Sequence, residues 1–109
     1  MTDISELTQK LIRFRDARDW KQFHNPKDLA VALSIESAEL LEAFLWKTSE
    51  EASKDKIKEE LADVLAYALL LANECGLDVA EIVLAKIEAN NLKYPIDKVK
   101  GSTKKYNEI

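Results

Sequence analysis

Glycine and proline are scarce in this chain, and this scarcity limits what it can form. The 109 residues contain two glycines and two prolines. Turns between β-strands depend on these residues, whereas long helices avoid them. Hydrophobic residues make up 47 % of the chain, enough for a modest core at this length. We therefore expect an all-α fold with a few long helices.

Four segments carry apolar residues at helical spacing. They run from about Asp3 to Asp19, Asn25 to Trp46, Ser53 to Cys75 and Asp78 to Asn91. Asn25 followed by Pro26 is typical of a helix N-cap and first position, and Gly76 is typical of a residue just past a helix end. Asp78 with Glu81 indicates a capping box. The pattern predicts a four-helix bundle.

The length predicts a single domain over residues 1–109, with about 92–109 as a C-terminal arm or tail. This ending contains Pro95 and Gly101 and is basic. Its lysines are Lys98, Lys100, Lys104 and Lys105. It is either a solvated end or an arm laid across a neighbour.

Charge and hydropathy exclude several classes of partner. The net charge of −4 argues against binding of duplex nucleic acid. The longest uncharged run, Val64 to Asn73, is ten residues long and too short to cross a bilayer. The single cysteine, Cys75, fits a reducing compartment, and no signal peptide is evident. We expect a soluble protein of the cytoplasm without a membrane partner.

Two predicted helices each place an acid where the pattern requires an apolar residue. The stripe on the second helix is Leu29, Leu33, Glu36, Leu40 and Phe44. The stripe on the third is Ile57, Glu60, Val64, Tyr67 and Leu71. A second acid follows three residues after each, Glu39 and Asp63. Each helix therefore presents an acid-x-x-acid pair toward the interior.

Four buried carboxylates need protons or a cation to offset the cost of burial. Mg²⁺ and Mn²⁺ prefer oxygen ligands, and the lack of a nearby histidine disfavours Zn²⁺ or a di-iron site. A single Glu-x-x-Glu pair is more often a solvated helix face. Two such pairs on adjacent apolar stripes favour the metal site.

The pattern Glu36-x-x-Glu39 followed by Glu60-x-x-Asp63 resembles the signature of the MazG-like all-α nucleoside triphosphate pyrophosphohydrolases. Four strings, RDWKQFHNPKDLA, LLEAFLWK, EELADVLAY and KYPIDKVKGSTKKYNEI, narrow the resemblance to the dCTP pyrophosphatase branch. It extends from about Ile12 to Ile109.

The resemblance implies hydrolysis of a nucleoside triphosphate to a monophosphate and pyrophosphate with Mg²⁺, for which Mn²⁺ is a possible substitute. It makes Glu36, Glu39, Glu60 and Asp63 the catalytic residues and metal ligands. Glu36 or Glu39 could instead be the general base, and the sequence does not distinguish them. dCTP or a modified dCTP is the expected substrate, with sanitation of the nucleotide pool as the role.

The resemblance also suggests residues that bind the substrate. The phosphate-binding candidates are Tyr67, Lys86, Asn90 and Tyr94. The base-binding candidates are Trp20, His24 and Trp46, with Phe23 weaker. Lys86 and Asn90 also interrupt an apolar stripe, although a lysine there could simply extend to solvent. A tryptophan is more often a core residue than a stacking surface, so the two tryptophans could also be core residues.

The third helix is apolar on almost every side, which predicts burial all round. Three other helices can hardly cover it, so we expect a homo-oligomer. The resemblance suggests a dimer of dimers.

Two further interpretations remain open. The chain could be a non-catalytic helical module for oligomerisation or metal sensing. It could also be a relative that acts on dUTP or on a phosphoribosyl nucleotide of the histidine pathway.

Overall fold

The computed structural model describes residues 3–109, and every regular element in that range is helical. The elements are α1 (Ile4–Ala17), a 3₁₀ turn (Lys21–Phe23), α2 (Pro26–Glu42), α3 (Lys54–Glu74), α4 (Val79–Lys93), α5 (Ile96–Val99) and a second 3₁₀ turn (Tyr106–Glu108). The all-α prediction is confirmed. The basic ending contains α5 and the second 3₁₀ turn, which the sequence pattern did not indicate.

Side-chain caps define where the four long helices begin. The capping residues are Asp3, Asn25, Ser53 and Asp78, and each side chain accepts a hydrogen bond from the backbone N–H three residues later. These bonds satisfy donors that have no partner within the helix. Gly76 follows α3 with φ of 67°, a conformation that glycine adopts without a side-chain clash.

Helix α2 ends at Glu42, earlier than the predicted end at Trp46. The chain leaves the α-helix through turns in which the Ala43 N–H bonds to the Leu40 carbonyl and the Phe44 N–H bonds to the Leu41 carbonyl. The apolar spacing continues across these turns, so the sequence pattern did not reveal the end of the helix.

The chain divides into two compact units, one that ends at Leu77 and one that comprises Asp78–Ile109. In the first unit α2 packs along α3, and α1 also packs against α3. Its core includes the buried residues Leu29, Ala43, Leu69, Leu70 and Ala72. In the second unit Tyr94, at the end of α4, packs edge-on against Tyr106 with ring centroids 6.3 Å apart. The single domain remains a prediction.

Helix α3 is not buried on every side within this chain. Leu61 and Leu65 are exposed, and so are Ile35 and Leu41 on α2. Several apolar side chains of α2 and α3 are therefore exposed. None of the described helices has both the length and the hydropathy that a bilayer span requires.

Candidate metal and nucleotide site

The predicted acids of α2 and α3 meet where these two helices pack together. One carboxylate oxygen from each of Glu36, Glu60 and Asp63 lies within 4.8 Å of the other two. Glu36 comes from α2 and the other two come from α3. The interrupted apolar stripes of the two helices therefore face each other, and their charges converge.

Glu60 is the most buried member of this acid cluster, with 6 % of its surface exposed. Its Oε1 accepts from the ammonium of Lys56 at 2.8 Å, one helical turn earlier on α3. The Oε2 atoms of Glu60 and Glu36 are buried and have no hydrogen-bond partner. A buried carboxylate oxygen without a donor is costly, so both atoms are available to a cation.

Glu39 is half-buried on α2, and it lies close enough to Glu36 to influence the charge of that carboxyl. The pKa of Glu36 is raised to about 6, first by burial and then by the neighbouring carboxyl of Glu39 and the negative charges of Asp63 and Glu60. Without a cation, this site therefore retains a proton on Glu36 more readily than a solvated carboxyl would.

Tyr67 and His24 extend the site from the acids toward the 3₁₀ turn. Their rings lie edge-on, with centroids 6.4 Å apart. Burial raises the pKa of Tyr67, and the nearby charge of Glu36 adds to this effect. The Nδ1 atom of His24 is buried without a partner. Burial, and then the Arg15 charge, lower the pKa of His24, which favours the neutral imidazole.

The two candidate tryptophans differ in their surroundings. Trp20 packs edge-on against Phe14 at 5.8 Å between centroids. The Arg18 guanidinium lies 3.6 Å from the Phe14 centroid and 6.0 Å from that of Trp20. Trp46 has a φ of 60° and is 93 % exposed. Its ring therefore does not pack with the rings of Phe14 and Trp20.

The other phosphate-binding candidates lie in the second unit. Lys86 and Asn90 share one shallow surface of α4 with Ile82, Val83 and Ile87. Tyr94 packs against Tyr106, and the Lys93 ammonium lies 5.0 Å from the Tyr106 centroid.

A buried ion pair whose charges act on His24 was not predicted from the sequence. Arg15 is 3 % exposed, and its guanidinium donates to Glu74 Oε1 at 3.1 Å and to Asp16 Oδ1 at 2.9 Å. The sequence did carry a signal, because Arg15 continues the spacing of Leu11 on α1 and Glu74 continues that of Leu71 on α3. Both residues therefore interrupt apolar spacing in the same way as Glu36 does.

Comparisons with known proteins agree with this fold and identify the family. The model of the MazG-like family matches residues 31–109. dCTP pyrophosphatase 1 of Bos taurus is 38% identical over an alignment 114 residues long, gaps included. The alignment covers 97% of this chain and 68% of that protein. The Homo sapiens protein of the same name is 39% identical, with 97% and 67% covered. The crystal structure of a pyrophosphatase from Archaeoglobus fulgidus gives a TM-score of 0.80 at 43% identity, covering 87% of this chain and 94% of that one.

The chain belongs to the MazG-like family. It is accordingly a nucleoside triphosphate pyrophosphohydrolase by class. The resemblance found in the acid-x-x-acid pairs is thereby confirmed at the level of the family and of the enzyme class.

Proposed function

We propose that this protein hydrolyses dCTP or a modified dCTP to the nucleoside monophosphate and pyrophosphate, in sanitation of the nucleotide pool. The observation that carries the proposal is the convergence of Glu36, Glu60 and Asp63 with two buried, unpartnered carboxylate oxygens. The names of the relatives support a deoxycytidine triphosphate as substrate.

The donor atoms fit a hard divalent cation. All three converging ligands are carboxylate oxygens, and among the described residues no histidine or cysteine belongs to the cluster. Oxygen-only sites suit Mg²⁺, with Mn²⁺ as a substitute, better than Zn²⁺. Glu36, Glu39, Glu60 and Asp63 would hold the ion. When bound, the ion supplies neutralisation of phosphate charge and activation of a water nucleophile.

The proposed reaction is a hydrolysis in which a side chain of this protein accepts the proton of the attacking water. Water adds to phosphorus, the P–O bond between the α and β phosphates breaks, and the water loses a proton. Glu36 and Glu39 are the candidates to accept that proton, because carboxylates near the attacking water can act as general bases.

Phosphate binding is assigned to Tyr67, Lys86, Asn90 and Tyr94. Their ammonium, amide and phenol groups can donate hydrogen bonds to phosphate oxygens, and the Lys86 charge strengthens such a bond. The assignment rests on the resemblance and on this donor chemistry. Lys86→Met should raise KM for the triphosphate more than it lowers kcat, as a lost ground-state contact does.

Base binding is assigned to Trp20, His24 and Trp46. Support comes from the buried, unpartnered Nδ1 of His24 and from its contact with Tyr67, which lies beside the acids. A polar atom in this state can accept or donate one bond to a base edge. The Trp20 ring offers a flat surface for stacking.

We also propose that the active form is a homo-oligomer, a dimer of dimers. The exposed apolar residues of α2 and α3, such as Ile35, Leu41 and Leu65, support it because a second copy would remove them from water. Light scattering of active protein tests the assembly, and a stable, active monomer would refute it.

One experiment tests the reaction. The protein is incubated with Mg²⁺ and a panel of canonical and modified nucleoside triphosphates, and pyrophosphate is detected separately from orthophosphate. Release of pyrophosphate, fastest with a deoxycytidine triphosphate, is expected. Orthophosphate alone would contradict α–β cleavage. A preference for dUTP would correct the substrate, and no turnover of any nucleotide would favour the non-catalytic module.

A further inference from the structure

Among residues 3–109, Lys56 is the cation that forms an ion pair with the acid cluster, a contact that no sequence pattern indicated. Its ammonium lies 2.8 Å from Glu60 Oε1. The Lys56 side chain is 51 % exposed, whereas the Glu60 side chain is almost wholly buried. The pair therefore joins a solvated cation to a buried anion one helical turn away.

The two oxygens of Glu60 are in different states. Oε1 accepts from Lys56, and Oε2 is buried without a hydrogen-bond partner. A single anchoring bond restricts rotation of a carboxylate and leaves the second oxygen free to act as a ligand. Carboxylates that bind metals are commonly held in this way by an outer hydrogen bond.

The excess of negative charge at the site also favours a lysine that stays beside the acids when a cation binds. A single divalent cation carries two positive charges, and the acid cluster with Glu39 holds four carboxyl groups. The Lys56 ammonium offsets part of the remaining negative charge without occupying a ligand position.

We propose that Lys56 is a positioning residue for the metal site, which fixes Glu60 through Oε1 so that Oε2 can bind a divalent cation. The proposal rests on the metal site of the proposed function and adds to it a residue that contacts neither the cation nor the nucleotide. Lys56 acts only through Glu60.

The test measures binding of Mn²⁺ without nucleotide, from the free-ion signal in electron paramagnetic resonance and by calorimetry. Lys56→Met should weaken binding about 10- to 100-fold, the effect of losing an outer-shell partner. Lys56→Arg, which keeps a charged donor, should restore most of the affinity. Lys58→Met is the matched control, because Lys58 is exposed on the same helix and has no ion pair among residues 3–109. Circular dichroism checks that each variant is folded, and Lys56→Gln replaces Lys56→Met if that variant unfolds.

The outcomes separate this inference from the proposed function. Unchanged or tighter Mn²⁺ binding by Lys56→Met, relative to Lys58→Met, would overturn the role of Lys56 while leaving the metal site intact. Failure of Lys56→Arg to restore affinity would also overturn it. Wild-type protein that binds no Mn²⁺ would overturn both, and pyrophosphate release by wild-type protein tests the reaction independently.

Discussion

Two charged side chains, Arg15 and Glu60, are buried among residues 3–109, and the chain satisfies them to different extents. The guanidinium of Arg15 donates to Glu74 and to Asp16. Glu60 has Lys56 on one oxygen and no partner on the other. Both residues interrupt the apolar face of a helix, Arg15 on α1 and Glu60 on α3.

The difference separates a structural role from a functional one. In a buried ion pair that is complete within the chain, each charge compensates the other, and removing one partner leaves an uncompensated buried charge that destabilises the fold. A cluster of like charges with unpartnered oxygens opposes folding unless a ligand or a proton offsets the charge. Substitutions should therefore affect stability at Arg15 and affect activity at the acids.

The largest effect is expected from the acids. Glu39→Gln and Asp63→Asn should each abolish measurable turnover, which means a loss of at least about 10²-fold. This loss exceeds the usual effect of removing an outer-shell partner. Each variant removes a negative charge from a crowded site, so the stability of the metal-free protein should hold or rise. Steady-state assays and urea unfolding measure the two quantities. The matched control is Glu59→Gln, an exposed acid on α3, and full activity in both site variants would refute the metal-site assignment.

Breaking the Arg15–Glu74 pair should have the opposite result and lower stability more than activity. Arg15→Met leaves Glu74 without its cation, and we expect a loss of about 3 kcal/mol of unfolding free energy, the low end for a buried pair. The low end applies because Glu74 keeps 21 % of its side chain exposed. The double variant Arg15→Met/Glu74→Gln should recover part of the loss. Arg13→Met, an exposed change on α1, is the control; an equal loss there would show that the pair is not responsible.

Adding a divalent cation should stabilise the protein through the acids alone. At a hundredfold excess over Kd, a ligand that binds only the folded state contributes about 2.7 kcal/mol. Thermal unfolding with and without Mg²⁺ should show this gain in the wild-type protein and in Arg13→Met. Asp63→Asn should show little of it, and an equal shift in that variant would place the ion elsewhere.

The smallest effect is the pH dependence of the metal-free protein. The pKa of Glu36 is raised from 4.5 to about 6, so the folded state takes up a proton more readily than the unfolded state does. Stability should therefore rise as pH falls from about 6 to 4.5. Above pH 6 the destabilisation caused by the ionised Glu36 carboxylate should be complete. Glu36→Gln lacks this titration, and the difference between the two proteins should be about 1 kcal/mol after solvent screening. Urea unfolding in a chelator at several pH values measures it, and parallel profiles would contradict the assignment.

Much of this arrangement was predictable because helical signals are local. Asn25, Gly76 and Asp78 mark helix boundaries through bonds to residues three or four positions away, so the sequence sufficed. The end of α2 was misplaced because apolar spacing continues through the turns after Glu42. Glu36 and Glu60 could be singled out because each occupies an apolar position in its own helix.

Contacts between helices were harder to predict. The Arg15–Glu74 pair joins residues distant in sequence, and its spacing signal was overlooked because each residue alone resembles a solvated charge. Lys56 carried no signal, since a lysine four residues before a glutamate is common on exposed helices. The positions of Trp20 and Trp46 relative to solvent were likewise not determined by their spacing.

The sequence by itself determined the helices, their caps and the fact that charge falls on apolar stripes, because a period of 3.6 residues fixes which side chains share a face. Only the tertiary structure decided which charges meet. The rotation and alignment of α2 against α3 bring Glu36 to Glu60 and Asp63, and the position of α1 gives Arg15 its carboxylates. These placements depend on the packing of many side chains at once, and no local pattern encodes them.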